Sequence, residues 1–188
     1  SLMSFYYYVA GRLGLNPNEC NNDEERLAVA SHFLAEAESG WDFNPRFDSR
    51  CEDFNPIDLN ANLYAYEHNF AYFYKETGIG EYKKWVKAAS RRKTLMDKLC
   101  LNPEDMLYYD YDYIHNRRSP ILSAAIFNTL FVRLAGKKQA RAIYRNLGKL
   151  ECANGVAACA DGERIRVYQW DYPNGWAALN YLAIKGLD

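Results

Sequence analysis

"DLNANLYAYEHNFAYFYKETGIGEYKKWVKAASRRKTLMDKL", residues 58–99, contains two helical patterns of different character, separated by a Gly-Ile-Gly turn. Asp58 is predicted to cap the first helix and Gly78 to end it. Apolar side chains cover so much of its circumference that we expect it to be largely buried; they are Leu59, Ala61, Leu63, Tyr64, Tyr66, Phe70, Tyr72 and Phe73. The second helix, from about Glu81 to Leu99, has one apolar and one basic face, which predicts a half-exposed position.

The same alternation of buried and half-exposed helices extends along the chain. Asn22 and the acidic residues after it predict a helix start, and Gly40 predicts its end. Further helices are predicted at 119–135 (apolar, with Ser119 as cap), at 137–147 (amphipathic) and from near Trp176 to the end (apolar). This pattern predicts an all-α single domain over residues 1–188, built from rings of helix hairpins, rather than a four-helix bundle.

The last apolar helix lacks an amphipathic partner in the pattern, so we expect an open ring. We also expect self-association through an apolar helix face that remains uncovered. The strongest strand signal is the Tyr-Asp alternation at 109–113, which predicts a short ribbon near 106–114.

Composition narrows the classes of ligand. With a net charge of −1, the chain lacks the basic surface that nucleic acids or anionic membranes require, so a small neutral ligand is favoured. We find no apolar run long enough to span a membrane and no N-terminal signal pattern. Five scattered cysteines without C-x-x-C pairs or histidines at metal spacing predict free thiols in a reducing, cytoplasmic environment and no metal or cofactor.

Two loops pair a carboxylate with tryptophan. They are Gly40-Trp41-Asp42-Phe43 and Gln169-Trp170-Asp171-Tyr172-Pro173-Asn174-Gly175-Trp176. An indole stacks on the C–H face of a sugar, while carboxylates and amides bind its hydroxyls. An aspartate after a helix-ending glycine is more often a turn residue, so spacing alone does not decide the role of Asp42.

Three motifs resemble the trehalase family of glycoside hydrolases: "AESGWDF" at 37–43, "NPIDLNANLY" at 55–64 and "QWDYPNGWAAL" at 169–179. The resemblance extends from about residue 20 onward and matches a middle-to-late part of the family's catalytic domain. It implies an (α/α)6 barrel, of which this chain would form part. It also implies hydrolysis of α,α-trehalose, or a related α-glucoside, to two sugars with inversion.

The resemblance also implies roles for individual residues. Asp42 matches the general acid, and Gly40 matches a glycine whose backbone contacts the sugar. The remaining residues that we assign to the sugar site are Trp41, Arg46, Trp170, Asp171 and Asn174, with Arg46 expected to brace the loop that carries Asp42. Asp58 fits a structural helix cap better than a catalytic residue.

Several family features are absent from the sequence. They are the first family signature, the upstream arginines that hold glucose hydroxyls, and the glutamate that serves as general base. The chain also differs from the family motif at Asn44, Pro45 and Phe47. We therefore expect the isolated chain to lack the base and to be inactive. The alternatives are a non-catalytic sugar-binding or remnant protein and an (α/α)6 glycosidase for another α-glucoside.

Overall fold

The computed structural model describes residues 1–16, 19–164 and 168–188, and this part of the chain is mostly helical. The helices are α1 (Leu2–Leu13), α2 (Asp23–Glu38), α3 (Ile57–Thr77), α4 (Tyr82–Leu99), α5 (Ile126–Phe131), α6 (Lys137–Arg145) and α7 (Ala177–Leu187). The short strands are β1 (Phe54–Asn55), β2 (Tyr111–Asp112), β3 (Arg117–Arg118), β4 (Glu151–Cys152) and β5 (Gly155–Val156).

Helices α2, α3 and α4 begin and end close to the positions that the sequence predicts. Asn22 caps α2 by accepting a hydrogen bond from the Glu25 backbone N–H at 2.9 Å. Gly78 ends α3 with φ of +69°, a left-handed conformation that glycine adopts without a steric penalty. These local signals are confirmed because each depends on neighbouring residues alone. By contrast, α1, which packs on α2, was not predicted.

The predicted cap of α3 is wrong. The helix begins at Ile57, so Asp58 lies within its first turn. The carboxylate of Asp110 instead accepts a hydrogen bond from the backbone N–H of Ile57 at 2.9 Å. A residue distant in sequence thus supplies the cap, while the Asp58 carboxylate binds the guanidinium of Arg46.

The predicted helix at 119–135 is correct only in its second half, where α5 is almost entirely buried. Before α5 the backbone pairs with a distant segment: Ala124 N–H donates to Ala158 O at 2.8 Å, and Ala160 N–H donates to Leu122 O at 2.9 Å. An apolar run indicates burial without distinguishing a helix from an extended segment. Here the early part is a buried extended segment.

The predicted ribbon is confirmed as β2, which pairs in antiparallel fashion with β1 on one side and with β3 on the other. Phe54 pairs with Asp112, and Asp112 pairs with Arg117. The ribbon places Asp110 and Asp112 close to the loop that follows α2, where both carboxylates meet arginines.

Helix α3 is less buried than its sequence predicts. Its buried residues are Ile57, Ala61, Glu67 and Ala71, while the aromatic side chains of Tyr66, Phe70, Tyr72 and Phe73 are exposed. The reason is that α3 makes its main contacts with α4 and α5, which cover only part of its circumference. Helix α7 also exposes Tyr181 and Ile184.

In the described ranges, none of the helices has the length and apolar character that crossing a membrane requires. A search of the same residues finds no cluster of three or more histidine, cysteine, aspartate or glutamate side chains suited to a metal ion.

Candidate active site

The loop of residues 40–46, called here the Asp42 loop, begins where α2 ends. Gly40 has φ of +77°, which turns the chain away from the helix, and the Trp41 side chain is then buried in the main core. Asp42 is half-buried. Phe43 has φ of +54°, a left-handed conformation that costs a non-glycine residue free energy unless its surroundings hold it.

The loop of residues 169–176, called here the Trp170 loop, lies directly against the Asp42 loop. The Trp170 backbone N–H donates to Phe43 O at 3.1 Å. The Trp41 and Trp170 ring centroids are 5.0 Å apart, and the rings of Trp170 and Trp176 stack with centroids 4.3 Å apart and an interplanar angle of 14°. The structure therefore brings together the two loops that the sequence singled out.

Arg46 supports the Asp42 loop from inside the protein. Its side chain is fully buried and pairs with the carboxylates of Asp58 and Asp110, with N–O distances of 2.8–3.0 Å. Its guanidinium carbon lies 4.2 Å from the ring centroid of Trp41. Burial disfavours the charge, but the two carboxylates outweigh burial, so the pKa of Arg46 is well above its ordinary value.

The carboxylate of Asp171 is buried and lies 3.0 Å from the guanidinium of Arg164. It also accepts a hydrogen bond from the Tyr172 backbone N–H at 2.7 Å. Burial raises the pKa of Asp171, although the Tyr172 N–H and Arg164 act in the opposite direction. Asp171 is thus tied to its own loop.

Asn174 lies on the exposed side of the Trp170 loop. Its side-chain amide donates to Gln169 O at 3.1 Å, and its backbone N–H donates to Asp171 O at 2.7 Å. These bonds close the loop on itself.

Asp42 lines a cavity of about 170 Å³ between α1, α2 and the Asp42 loop. The other residues around it are Phe5, Tyr8, Val9, Phe33, Glu36, Ala37 and Phe43. The wall is mainly apolar, and its two carboxylates are Asp42 and Glu36. The cavity therefore brings Asp42, the acid that the sequence analysis assigned, together with a second carboxyl group.

Glu36 is a residue of this site that the sequence analysis missed. Its side chain is only 2% exposed, and its Oε1 accepts a hydrogen bond from the Asn44 backbone N–H at 2.9 Å. Burial, and secondarily the charge of Asp42, raise the pKa of Glu36 to about 7, against the hydrogen bonds from Asn44 and Phe43. The available signal was a carboxylate three residues after Phe33, on the apolar face of α2.

Solved structures with the same architecture define the fold class. Neutral trehalase Nth1 from Saccharomyces cerevisiae superposes with a TM-score of 0.79 and 29% sequence identity, covering 98% of this chain and 38% of that one. A GH63 mannosylglycerate hydrolase from Thermus thermophilus, solved with glucose, has a TM-score of 0.62 at 15% identity and covers 92% of this chain and 42% of that one, which shows the fold alone. The chain therefore has the fold of part of a helical (α/α)6 barrel, as predicted.

The family follows from the sequence comparisons. The family model described as Trehalase matches residues 18–188. A cytosolic neutral trehalase from Beauveria bassiana is 33% identical over 83% of this chain and 25% of its own length. A probable trehalase from Saccharomyces cerevisiae is 34% identical over 90% of this chain and 24% of its own length. The chain belongs to the trehalase family and spans about a quarter of the length of these relatives.

Proposed function

We propose that this chain carries the acid side of a trehalase active site, with Asp42 as the general acid that protonates the glycosidic oxygen of α,α-trehalose. The observation that carries the proposal is the position of Asp42. It lies at the junction of the Asp42 and Trp170 loops, beside a mainly apolar cavity, in a chain of the trehalase family.

Inverting hydrolysis requires a second carboxylate about 6.5–9.5 Å from the acid, on the opposite face of the sugar, where it removes a proton from the attacking water. Two buried carboxylates lie at these elements: Glu36 lines the cavity beside Asp42, and Asp171 belongs to the Trp170 loop. Glu36 accepts backbone hydrogen bonds, and Asp171 is paired with Arg164. Because both are engaged in holding loops, we propose that neither is the base and that this chain alone does not hydrolyse trehalose.

The remaining site residues are assigned by their contacts. Gly40 begins the Asp42 loop, and its backbone is proposed to contact the sugar. Asp171 and Asn174 stabilise the Trp170 loop through their hydrogen bonds. Trp41 and Trp170 form the aromatic wall, which their ring contact makes continuous. Arg46 acts from behind this wall, because its guanidinium already binds two carboxylates and contacts the Trp41 ring.

The proposed substrate is a neutral disaccharide, and neither a nucleic acid nor a membrane is proposed as a partner. A cytoplasmic location is proposed because several relatives are named cytosolic neutral trehalases. The aligned relatives are trehalases, so trehalose takes precedence over other α-glucosides.

The direct test is glucose release from trehalose by the purified chain, its Asp42→Asn variant and an Asp48→Asn control. Asp48 is exposed and lies close to Asp42 in sequence. We expect equal, background release from all three, since the acid alone is insufficient. Release that Asp42→Asn abolishes and Asp48→Asn retains would confirm the acid and place a base within the chain, with Asp171 the first residue to mutate. Release that survives in Asp42→Asn would overturn the assignment of Asp42.

Kojibiose and glucosylglycerate as alternative substrates would test for another α-glucosidase.

A further inference from the structure

Phe43, the residue after Asp42, is held on both sides. Its carbonyl oxygen accepts a hydrogen bond from the Trp170 N–H at 3.1 Å, and the N–H of the next residue, Asn44, donates to Glu36 Oε1 at 2.9 Å. This backbone has a left-handed φ that is unfavourable for phenylalanine. The conformation that presents Asp42 therefore depends on an acceptor inside α2 and a donor in the Trp170 loop.

We propose that Glu36 is a positioning residue for Asp42: its ionised carboxylate accepts the hydrogen bond from the Asn44 backbone N–H and thereby fixes the turn that presents Asp42. The proposal rests on the proposed function of Asp42 as the acid. Hydrogen bonds to a charged acceptor are stronger than those to a neutral one, so protonation of Glu36 weakens this support.

The charges around Glu36 define how it responds to pH. Asp42 repels the ionised form, and Arg46 attracts it. The buried Cys51 thiol, in a short 3-10 helix at Cys51–Asp53, interacts electrostatically with Glu36, and Tyr8 of α1 lines the shared cavity. Desolvation raises the pKa of Glu36 to about 7, so the group changes charge near neutral pH.

The test is a pH titration of the full chain by NMR, following the Glu36 side-chain carboxyl carbon and the amides of Phe43 and Asn44. We expect all three signals to follow one step near neutral pH. In Asp42→Asn this step should move to lower pH, because the repelling charge is gone. In Glu36→Gln the amide step should disappear. The exposed Glu38→Gln variant, with the substitution two residues away on α2, should behave as wild type.

Trehalose affinity is the second measurement. Wild type should bind about fivefold more weakly at pH 5.5 than at pH 8.5, as expected from exchanging a charged for a neutral acceptor, and Glu36→Gln should remain at the weaker level at both pH values.

Amides that do not follow the Glu36 carboxyl, or a Glu36 step that does not move in Asp42→Asn, would overturn the proposal. These two results need no Glu36 variant, so a Glu36→Gln chain that fails to fold does not remove the test. If the titration is as expected but no trehalose binds at any pH, the positioning of the turn by Glu36 is supported and the proposed sugar site is wrong.

Discussion

Glu36 and Asp42 line one cavity. The sequence alone identifies only Asp42 as a candidate site residue. Asp42 belongs to a contiguous loop motif, whereas the importance of Glu36 comes from burial and from backbone groups that only the folded loop brings to it. Asp110 is a similar case, because it caps α3 and pairs with Arg46, both distant in sequence. Candidate site residues in local motifs can therefore be proposed from the sequence, whereas residues that act through long-range contacts cannot.

At the residue scale, Glu36 should make stability depend on pH. Its pKa is about 7 in the folded chain and near the ordinary 4.5 when unfolded, so folding binds a proton in this interval. The stabilisation is complete below pH 4.5 and is lost as pH rises through 7, by roughly 3 kcal/mol for a shift of this size. Urea unfolding at pH 4.5 and 8 should show this decrease in wild type and in the Glu38→Gln control. An identical decrease in Glu36→Gln would contradict the assignment.

Arg46 provides a second prediction at the residue scale. Arg46→Met should leave two buried carboxylates, Asp58 and Asp110, without their cation, which typically costs about 3–5 kcal/mol of unfolding free energy. The matched control is Arg117→Met. The Arg117 side chain is 65% exposed, and its ion pair with Asp112 is long, with an N–O distance of 3.7 Å. Surface changes of this kind typically alter the free energy of unfolding by about 0.5 kcal/mol or less. Similar midpoints in urea for the two variants would show that the buried ion cluster contributes little.

At the element scale, helices with local start and stop signals were predictable, but the extended run before α5 was not. Residues 119–125 are mostly apolar, yet their backbone groups form hydrogen bonds with Asp110 and with the segment around Ala158. Helical periodicity in the sequence gives no sign of these distant partners. The Trp170 loop shows the same distinction. Its tryptophans were recognised, while their stacking order depends on the contact between two distant loops.

This stacking leads to a prediction for the Trp170 loop. The Trp170 ring contacts Trp41 and Trp176, so Trp170→Ala should destabilise the fold by about 3 kcal/mol, as a large aromatic truncation does. Tyr172→Ala, in the same loop and 39% exposed, should cost less than about 1 kcal/mol. Thermal unfolding measures both. Equal stabilities of the two variants would show that the stacking of the Trp170 ring contributes little to the fold.

At the scale of the whole molecule, α3 and α7 leave large apolar side chains exposed. The exposed side chains include Tyr66, Phe73, Tyr181 and Ile184. The helical periodicity of apolar residues in α3 and α7 predicts that these helices are buried. This prediction is correct only for the part of each helix that contacts other helices of this chain. Periodicity identifies an apolar face, but it does not say what covers that face.

We expect the chain to self-associate at increasing concentration, because exposed apolar side chains of α3 and α7 are removed from water when two copies meet. Sedimentation velocity at increasing concentration should show faster-sedimenting species in wild type and in the exposed Lys138→Glu control. A Tyr181→Glu/Ile184→Glu double variant should remain monomeric to higher concentration. A wild-type chain that stays monomeric throughout would contradict this prediction.

The Asp42 and Trp170 loops are proposed to form one sugar site, and Asp42 is part of it. The most direct test of this proposal is a trehalose titration of the chain, followed by backbone amide and indole N–H chemical shifts, with Asp42→Ala as the variant and Asp48→Asn as the control. We expect saturable shifts at Gly40, Asp42, Trp170 and Asp171, weakened in Asp42→Ala and unchanged in Asp48→Asn. Shifts confined to the cleft between α3 and α4, which Asn60, Lys87 and Arg91 line, or no saturable shift at either loop, would contradict the proposal.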